Sequence, residues 1–476
     1  MTAQGALSGP LDTGLRRNSL RAVDVIAMCA ATYAPTAALY FNTPLAASFA
    51  GPAIPLAYLL ATVGVLAVAV CMAQLAARLA TAGGYYEWVR VALGPTLGLL
   101  VGWLVLLGPF MVLPAVYVAT GNYTATVLSR YGLDLHWYVI ALILIVLVTG
   151  VNAVGIRPSV RIGLAILVIE VLILLALALV IVARGGSDGN TGVPFDPRSA
   201  GSLSGLGGAM VFGVLSYIGF EAVATTGEEA SRPGLSIPVA LVLGIVIGGV
   251  FFTFVSYAEA IGFGVRHLDK LVGNAAPFDT LGQRYGNPLL RAGLDVAGVT
   301  SNLASLILTT VAVTRIGYAM GRDRLLPPAF ATTSPRFRTP VVAIAAQAVL
   351  CIAVVTVLGF WLGPGNTFGY LGTLLTFTFL LVYALIMAAT IVAFRTALRR
   401  HFRPLLHVAL PVLGILICVY PFWALSPLGG PQPPPYNWLP LVFLAYTLVG
   451  LVLGIALRSR LGRVEAMVAR LQFDDS

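Results

Sequence analysis

The sequence predicts an all-α integral membrane protein with twelve membrane-spanning helices, and two observations carry that reading. Of 476 residues, 59% are hydrophobic and only 10% are charged, whereas soluble domains carry about 25% charged residues. Polar side chains are too few to cover a water-facing globule of this size. The apolar residues also fall in unbroken runs of about 20, the length a helix needs to cross a bilayer, not in the alternating segments of a membrane barrel. Together these exclude a soluble fold, a disordered chain and a disulfide-stapled secreted module.

Taken in order, the runs cover Val25–Phe41, Ala53–Ala77, Leu97–Val118, Trp137–Val154, Ile162–Ala183, Leu206–Thr225, Ile237–Phe263, Leu294–Tyr318, Val341–Leu362, Phe368–Phe394, Leu405–Leu425 and Trp438–Leu457. Residues 1–20 are polar and lack the apolar core of a secretory leader. Residues 184–203 and 266–291 read as external loops, the second with short interfacial helices, and the proline-rich Gly429–Asn437 as a stiff external connector. With the N-terminus inside, 21 of the 28 basic residues fall on the cytoplasmic side and 7 outside. The excess of inside positive charge therefore puts both termini in the cytoplasm.

The net charge of +10 is spread in short clusters between apolar runs, with no basic stripe interleaved with aromatics, so no nucleic-acid partner is expected. All basic residues but Lys270 are arginines. Cys29, Cys71, Cys351 and Cys418 sit inside apolar runs without a CxxC pair or a Cys/His cluster. No metal or cofactor is expected. HExxH, GxSxG and a Gly-rich phosphate loop are absent, and the four histidines fall in or near loops, which argues against an enzyme.

Two runs carry breakers at matching positions of two five-span halves. Pro35, in Ala34–Ala37 of the first run, removes a backbone donor and biases Ala34 away from helix. Gly219, in Tyr217–Phe220 of the sixth, adds backbone freedom. Interrupted segments at corresponding places in two halves point to a transporter binding site. Half-helix N-termini offer free N–H groups and positive dipole ends to a carboxylate, and the opposing carbonyls suit an ammonium. A zwitterionic amino acid fits without a charged side chain in the pocket. The alternative is a kinked first helix and a close helix crossing at Gly219. Candidate pocket residues are Tyr33, Ala34, Pro35, Thr36, Ala37, Met111, Tyr217, Ile218, Gly219, Phe220, Glu221, Asn302 and Tyr370, with Phe220 as an aromatic gate. No acidic or basic pair marks a pocket for a charged side chain, so a neutral or apolar substrate is favoured.

Four segments resemble signatures of the amino acid–polyamine–organocation permeases. They are Phe212–Leu241 (FGVLSYIGFEAVATTGEEASRPGLSIPVAL), Arg315–Pro327 (RIGYAMGRDRLLP), the loop Ala82–Gly94 (AGGYYEWVRVALG) and Glu259–Gly264 (EAIGFG). Arg324 stands where that family usually has Gly, and the Ala-Pro version of the first break, in Cys29–Phe41, resembles a bacterial branch. The resemblance implies a leucine-transporter-type fold of five plus five helices related by an inverted repeat, with discontinuous helices 1 and 6. The halves would be residues 22–184 and 203–400, separated by an extracellular loop at 185–202. Two peripheral helices would occupy 401–458, and cytoplasmic tails 1–21 and 459–476. It implies alternating access to a midplane site, with the plasma membrane as location.

Ionisable residues deep in a span are functional candidates. Glu170 lies within the fifth run, where the resemblance implies a Lys in proton-coupled relatives and an ion in sodium-coupled ones. It is the candidate proton-coupling group; the alternative is a structural carboxylate. Glu221 follows the second break and either caps its free N–H groups or meets a substrate ammonium. Glu259 reads as a wetted rim residue, and Asp24 and Asp295 as caps or vestibule groups. Glu228, Glu229, Arg322 and Arg324 are candidates for a cytoplasmic gate, the alternative being a solvated charged face. The expected activity is proton-coupled uptake of an amino acid or related amine, with an exchanger or a substrate sensor as rivals.

Overall fold

The structure, a computed structural model, describes residues 25–26, 29, 32–79, 84–155, 160–226, 233–322, 327–337, 339–430 and 436–468. These form fourteen α-helices with no strand among the described residues. In chain order they are α1 Pro35–Ala50, α2 Ile54–Ala76, α3 Gly84–Leu93, α4 Pro95–Arg130, α5 Trp137–Val154, α6 Val160–Ala183 and α7 Leu203–Leu215, followed by α8 Pro233–Phe263, α9 Pro277–Tyr285, α10 Pro288–Arg322, α11 Val341–Leu362, α12 Pro364–Arg395, α13 Leu410–Leu425 and α14 Leu439–Val468.

Proline sets many of the starts. Pro35, Pro95, Pro233, Pro277, Pro288 and Pro364 each open a helix, where the missing N–H is not needed and the fixed φ suits the first turn. Gly363, at φ 79°, is the single residue between α11 and α12. Threonines such as Thr62, Thr373, Thr376 and Thr390 return their hydroxyls to the carbonyl four residues back. That satisfies a polar side chain where no water is at hand.

Ten helices among the described residues are long and apolar enough to cross a membrane. The difference from the expected twelve lies in the two broken runs. Helices α1 and α2 follow each other with only the turn Gly51–Ala53 between them and form one run of 42 residues, while α7 is a shorter apolar helix. Helix α1 continues nine residues past the expected end at Phe41 because Asn42 and Thr43 find partners inside the protein. The segment expected as a loop at Ala82–Gly94 contains α3, a short helix too charged to read as a span, which buries Trp88 and Val89. The expected helix in the 266–291 loop is α9.

At the centre α1 packs on α7, α2 on α8, and α4 on α12, while α14 rests on α4 and α12 at the edge. Outward faces remain apolar: Val250 and Val349 are 68% and 66% exposed. Such faces around a bundle are what lipid covers, and a water-soluble monomer rarely shows them. The protein is a multi-pass membrane protein.

Candidate functional site

Both expected breaks exist. Ala34 adopts φ 43°, ψ 67°, the one non-glycine residue with positive φ among those described, and immediately precedes α1 with Pro35 at its first turn. Its carbonyl accepts the Ala38 N–H at 3.0 Å. Pro35 has no N–H, and those of Thr36 and Ala37 belong to the first turn, which has no carbonyls of its own helix to meet. The positive end of α1 is therefore exposed to whatever occupies the break.

The second break follows α7. Tyr217 and Ile218 turn back on Val214 and Leu215, Gly219 takes φ 115°, and a 3₁₀ segment runs over Phe220–Thr226. Glycine is required here twice over, because a Cβ would also sit 2.7 Å from the Thr32 carbonyl beside the first break. Glu221 locks this turn. Both of its carboxylate oxygens accept the Gly219 N–H at 3.1 Å, and Oε2 also accepts the Tyr383 hydroxyl at 3.0 Å.

A cavity of about 100 Å³ lies between the breaks. Five expected residues line it: Tyr33, Ala34, Ala37, Ile218 and Asn302. Tyr33 donates to the Gly244 carbonyl at 3.2 Å, and Asn302 to the Gly298 carbonyl at 2.6 Å. Pro35, Thr36, Gly219 and Glu221 form the backbone turns instead of the wall. Tyr217 shares a 2.5 Å hydrogen bond with Thr62, and Phe220 packs its buried ring on Tyr383. Met111 and Tyr370 are partly buried beside the core and outside the cavity lining.

Sequence reasoning missed the remaining wall. Phe41, Val112, Val116, Leu215, Phe368 and Leu375 make it apolar, and Asn42 and Ser305 add polar atoms. Ser305 stands three residues after Asn302 on the same helix face, a spacing that could have flagged it. Asn42 was legible as an amide inside an apolar stretch. Its Nδ2 donates to Ser216 Oγ at 2.8 Å, while among the described residues its Oδ1 is buried without a partner, as is Thr36 Oγ1 beside the break. Buried polar atoms normally have partners, so these two invite a ligand with a donor. Phe41 and Phe368 meet edge to face at 5.5 Å and also line a second cavity of about 70 Å³ that reaches residues 273–275. They partition the two chambers.

Glu170 is buried in α6 and accepts the Thr300 hydroxyl of α10 at 2.7 Å. Glu259 departs from the wetted-rim expectation: it is 0% exposed, because α8 carries it into the bundle against α1. Its Oε1 accepts from Thr43 at 2.9 Å and its Oε2 has no partner among the described residues. Asp295 joins a charge cluster rather than a simple cap. Arg130 pairs with Asp279 and lies 3.8 Å from Asp295, and Arg291 bonds Asp279 at 2.7 Å. The cluster pins α9 to the ends of α4 and α10, with Phe278 of α9 against Tyr40 of α1 at 4.8 Å. Asp24, Glu228, Glu229 and Arg324 lie outside the described residues, as does the side chain of Arg322.

A multi-pass helical bundle with two interrupted helices facing one small, partly apolar cavity has the architecture of a membrane transport protein. Residues 22–452 match the amino acid permease family. The chain is 25% identical to a methylthioribose transporter of Bacillus subtilis, over 84% of each chain. It is 26% identical to the branched-chain amino acid permease BcaP of Lactococcus lactis, over 85% of this chain and 88% of that one. It is also 28% identical to a vacuolar cationic amino acid transporter of Arabidopsis thaliana, over 77% and 63%. The chain belongs to the amino acid permease family of the amino acid–polyamine–organocation superfamily, and is a permease rather than an enzyme.

Proposed function

We propose that the chain is a secondary active transporter for an amino acid with a neutral, apolar side chain, working by alternating access in symport with protons. The observation that carries this is the cavity between the breaks. One end offers the first turn of α1 to a carboxylate, Asn42 Oδ1 is an unused acceptor for an ammonium, and the remaining wall is largely apolar. Among the described residues no acidic side chain lines it, which disfavours a substrate with a second ammonium group. The branched-chain permease among the relatives agrees with an apolar side chain. On this reading the chain crosses the plasma membrane twelve times with both termini in the cytoplasm, spans 1 and 6 being the broken pair of an inverted repeat.

Glu170 is the first choice for the coupled proton, since it is buried and held only by hydroxyl donors, with no ion pair among the described residues. A second reading, favoured by the unpartnered Oε2, gives the proton to Glu259, whose Thr43 partner stands next to Asn42 on the helix that carries the substrate site. A charged oxygen buried without a donor is costly, so a group placed this way responds strongly to gaining or losing a proton.

The test is uptake of radiolabelled amino acids and amines into proteoliposomes, with and without an inward proton gradient. Gradient-dependent accumulation of an apolar amino acid is expected. Uptake only into liposomes preloaded with substrate would replace symport by exchange.

A further inference from the structure

The bundle has another concave site, remote from the substrate cavity in sequence and lined by different elements. A cavity of about 300 Å³ opens where the end of α2 meets the connector between α12 and α13. Arg78, Arg400, His401, Phe402, Arg403 and His407 line it, and among the described residues no acidic side chain does. Among the described residues no ion pair involves Arg78 or Arg403. Basic residues at helix ends are common on one side of a membrane protein and would not by themselves make a site. The buried histidine is the independent observation.

His407 is 1% exposed and stacks on Phe394, with ring centroids 3.7 Å apart. Its Nδ1 accepts the Arg403 backbone N–H at 2.8 Å, so in the neutral ring the proton sits on Nε2. That Nε2 is buried and has no partner among the described residues. A buried N–H donor without an acceptor costs stability, and an acceptor inside the cavity would remove the cost. The charges of Arg403 and Arg78 act on the same ring. The nearby Arg78 guanidinium donates to His401 Nε2 at 3.0 Å, which fixes its approach to the cavity.

We propose that this cavity binds a phosphate group. Phosphate matches the donor set: its oxygens accept paired N–H groups from guanidinium and a further N–H from imidazole, with opposite charge. The position suits it too, because the cavity lies at the ends of α2 and α12, which are long and apolar enough to span a membrane, and the ends of such helices lie near the lipid headgroups. The group arrives either on an anionic phospholipid or as a free anion. In both cases it bridges α2, which packs on α8, to the α12–α13 connector.

The test uses the purified full chain, delipidated in neutral detergent. It is titrated separately with dihexanoyl-phosphatidylglycerol and with sodium phosphate, against sodium chloride at matched ionic strength, while the unfolding midpoint is read by tryptophan fluorescence. A saturable rise in the midpoint is expected with at least one probe. Arg78→Gln and Arg403→Gln should each move the midpoint's dose dependence about tenfold or more to higher concentration, the loss of one charged hydrogen bond. His407→Phe keeps the stack on Phe394 and removes the donor, and should act in the same direction; if it does not fold, the two exposed arginines carry the test. A response to the phospholipid alone assigns the site to a headgroup, and a response to inorganic phosphate assigns it to the free anion. No saturable response to either probe, or unchanged dose dependence in both arginine variants, overturns the proposal.

Discussion

Replacing Asn42 with alanine isolates the contribution of one cavity-lining side chain to substrate recognition. Asn42 Nδ2 already bonds Ser216, and Oδ1 has no partner among the described residues. If the substrate ammonium donates to Oδ1, Asn42→Ala removes a charged hydrogen bond worth about 1.5–3 kcal/mol. That corresponds to substrate binding roughly 10- to 150-fold weaker. The fold should lose much less. Ser216 keeps its bond to the Phe212 carbonyl at 2.9 Å and its contact with Tyr58 at 3.1 Å, so no new orphan group is created. The expected stability cost is about 1 kcal/mol, a neutral side-chain hydrogen bond. Titration calorimetry of detergent-solubilised protein gives the affinity, and a thermal unfolding scan gives the stability. An affinity within twofold of the unmodified chain, with the unfolding midpoint clearly lowered, would mean that Asn42 only ties α1 to α7.

Other substitutions address the coupling and the second break. Glu170→Gln should abolish accumulation driven by a pH gradient in proteoliposomes while substrate binding stays measurable; undiminished accumulation would remove Glu170 from the coupling step. Glu259→Gln retains an acceptor for Thr43 but cannot exchange a proton. If the second reading holds, this variant loses gradient-driven accumulation and Glu170→Gln does not, a contrast that one set of uptake assays decides. Gly219→Ala forces a side chain into φ 115° and against the Thr32 carbonyl. A loss of about 1–3 kcal/mol is expected for such backbone strain, and an unchanged thermal unfolding midpoint would show that the second break relaxes freely.

The sequence made the breaks legible because proline and glycine act through the backbone, whatever surrounds them. Ala34 and Gly219 take the unusual φ values that Pro35 and the Tyr217–Phe220 run announced. Apolar length likewise predicted a helical membrane protein, although the ends moved. The expected end of the first run at Phe41 left Asn42 and Thr43 outside it, yet both have polar partners, Asn42 in Ser216 just past α7 and Thr43 in Glu259 on α8. Partners that distant in sequence cannot be read from a local pattern. The same limit hid the wall of the cavity. Phe41 and Phe368 lie more than three hundred residues apart and become a pair only when α1 and α12 are brought together. Glu259 looked like a rim residue by its place near a helix end, because nothing local revealed that Thr43 would bury it.

The most direct measurement is an experimental structure of the chain with a transported apolar amino acid bound. Ligand density is expected between Ala34–Ala37 and Ile218, with the carboxylate at the first turn of α1 and the ammonium within hydrogen-bond distance of Asn42 Oδ1. Density elsewhere in the bundle, or a ligand in this cavity that leaves both the first turn of α1 and Asn42 unbonded, would contradict it.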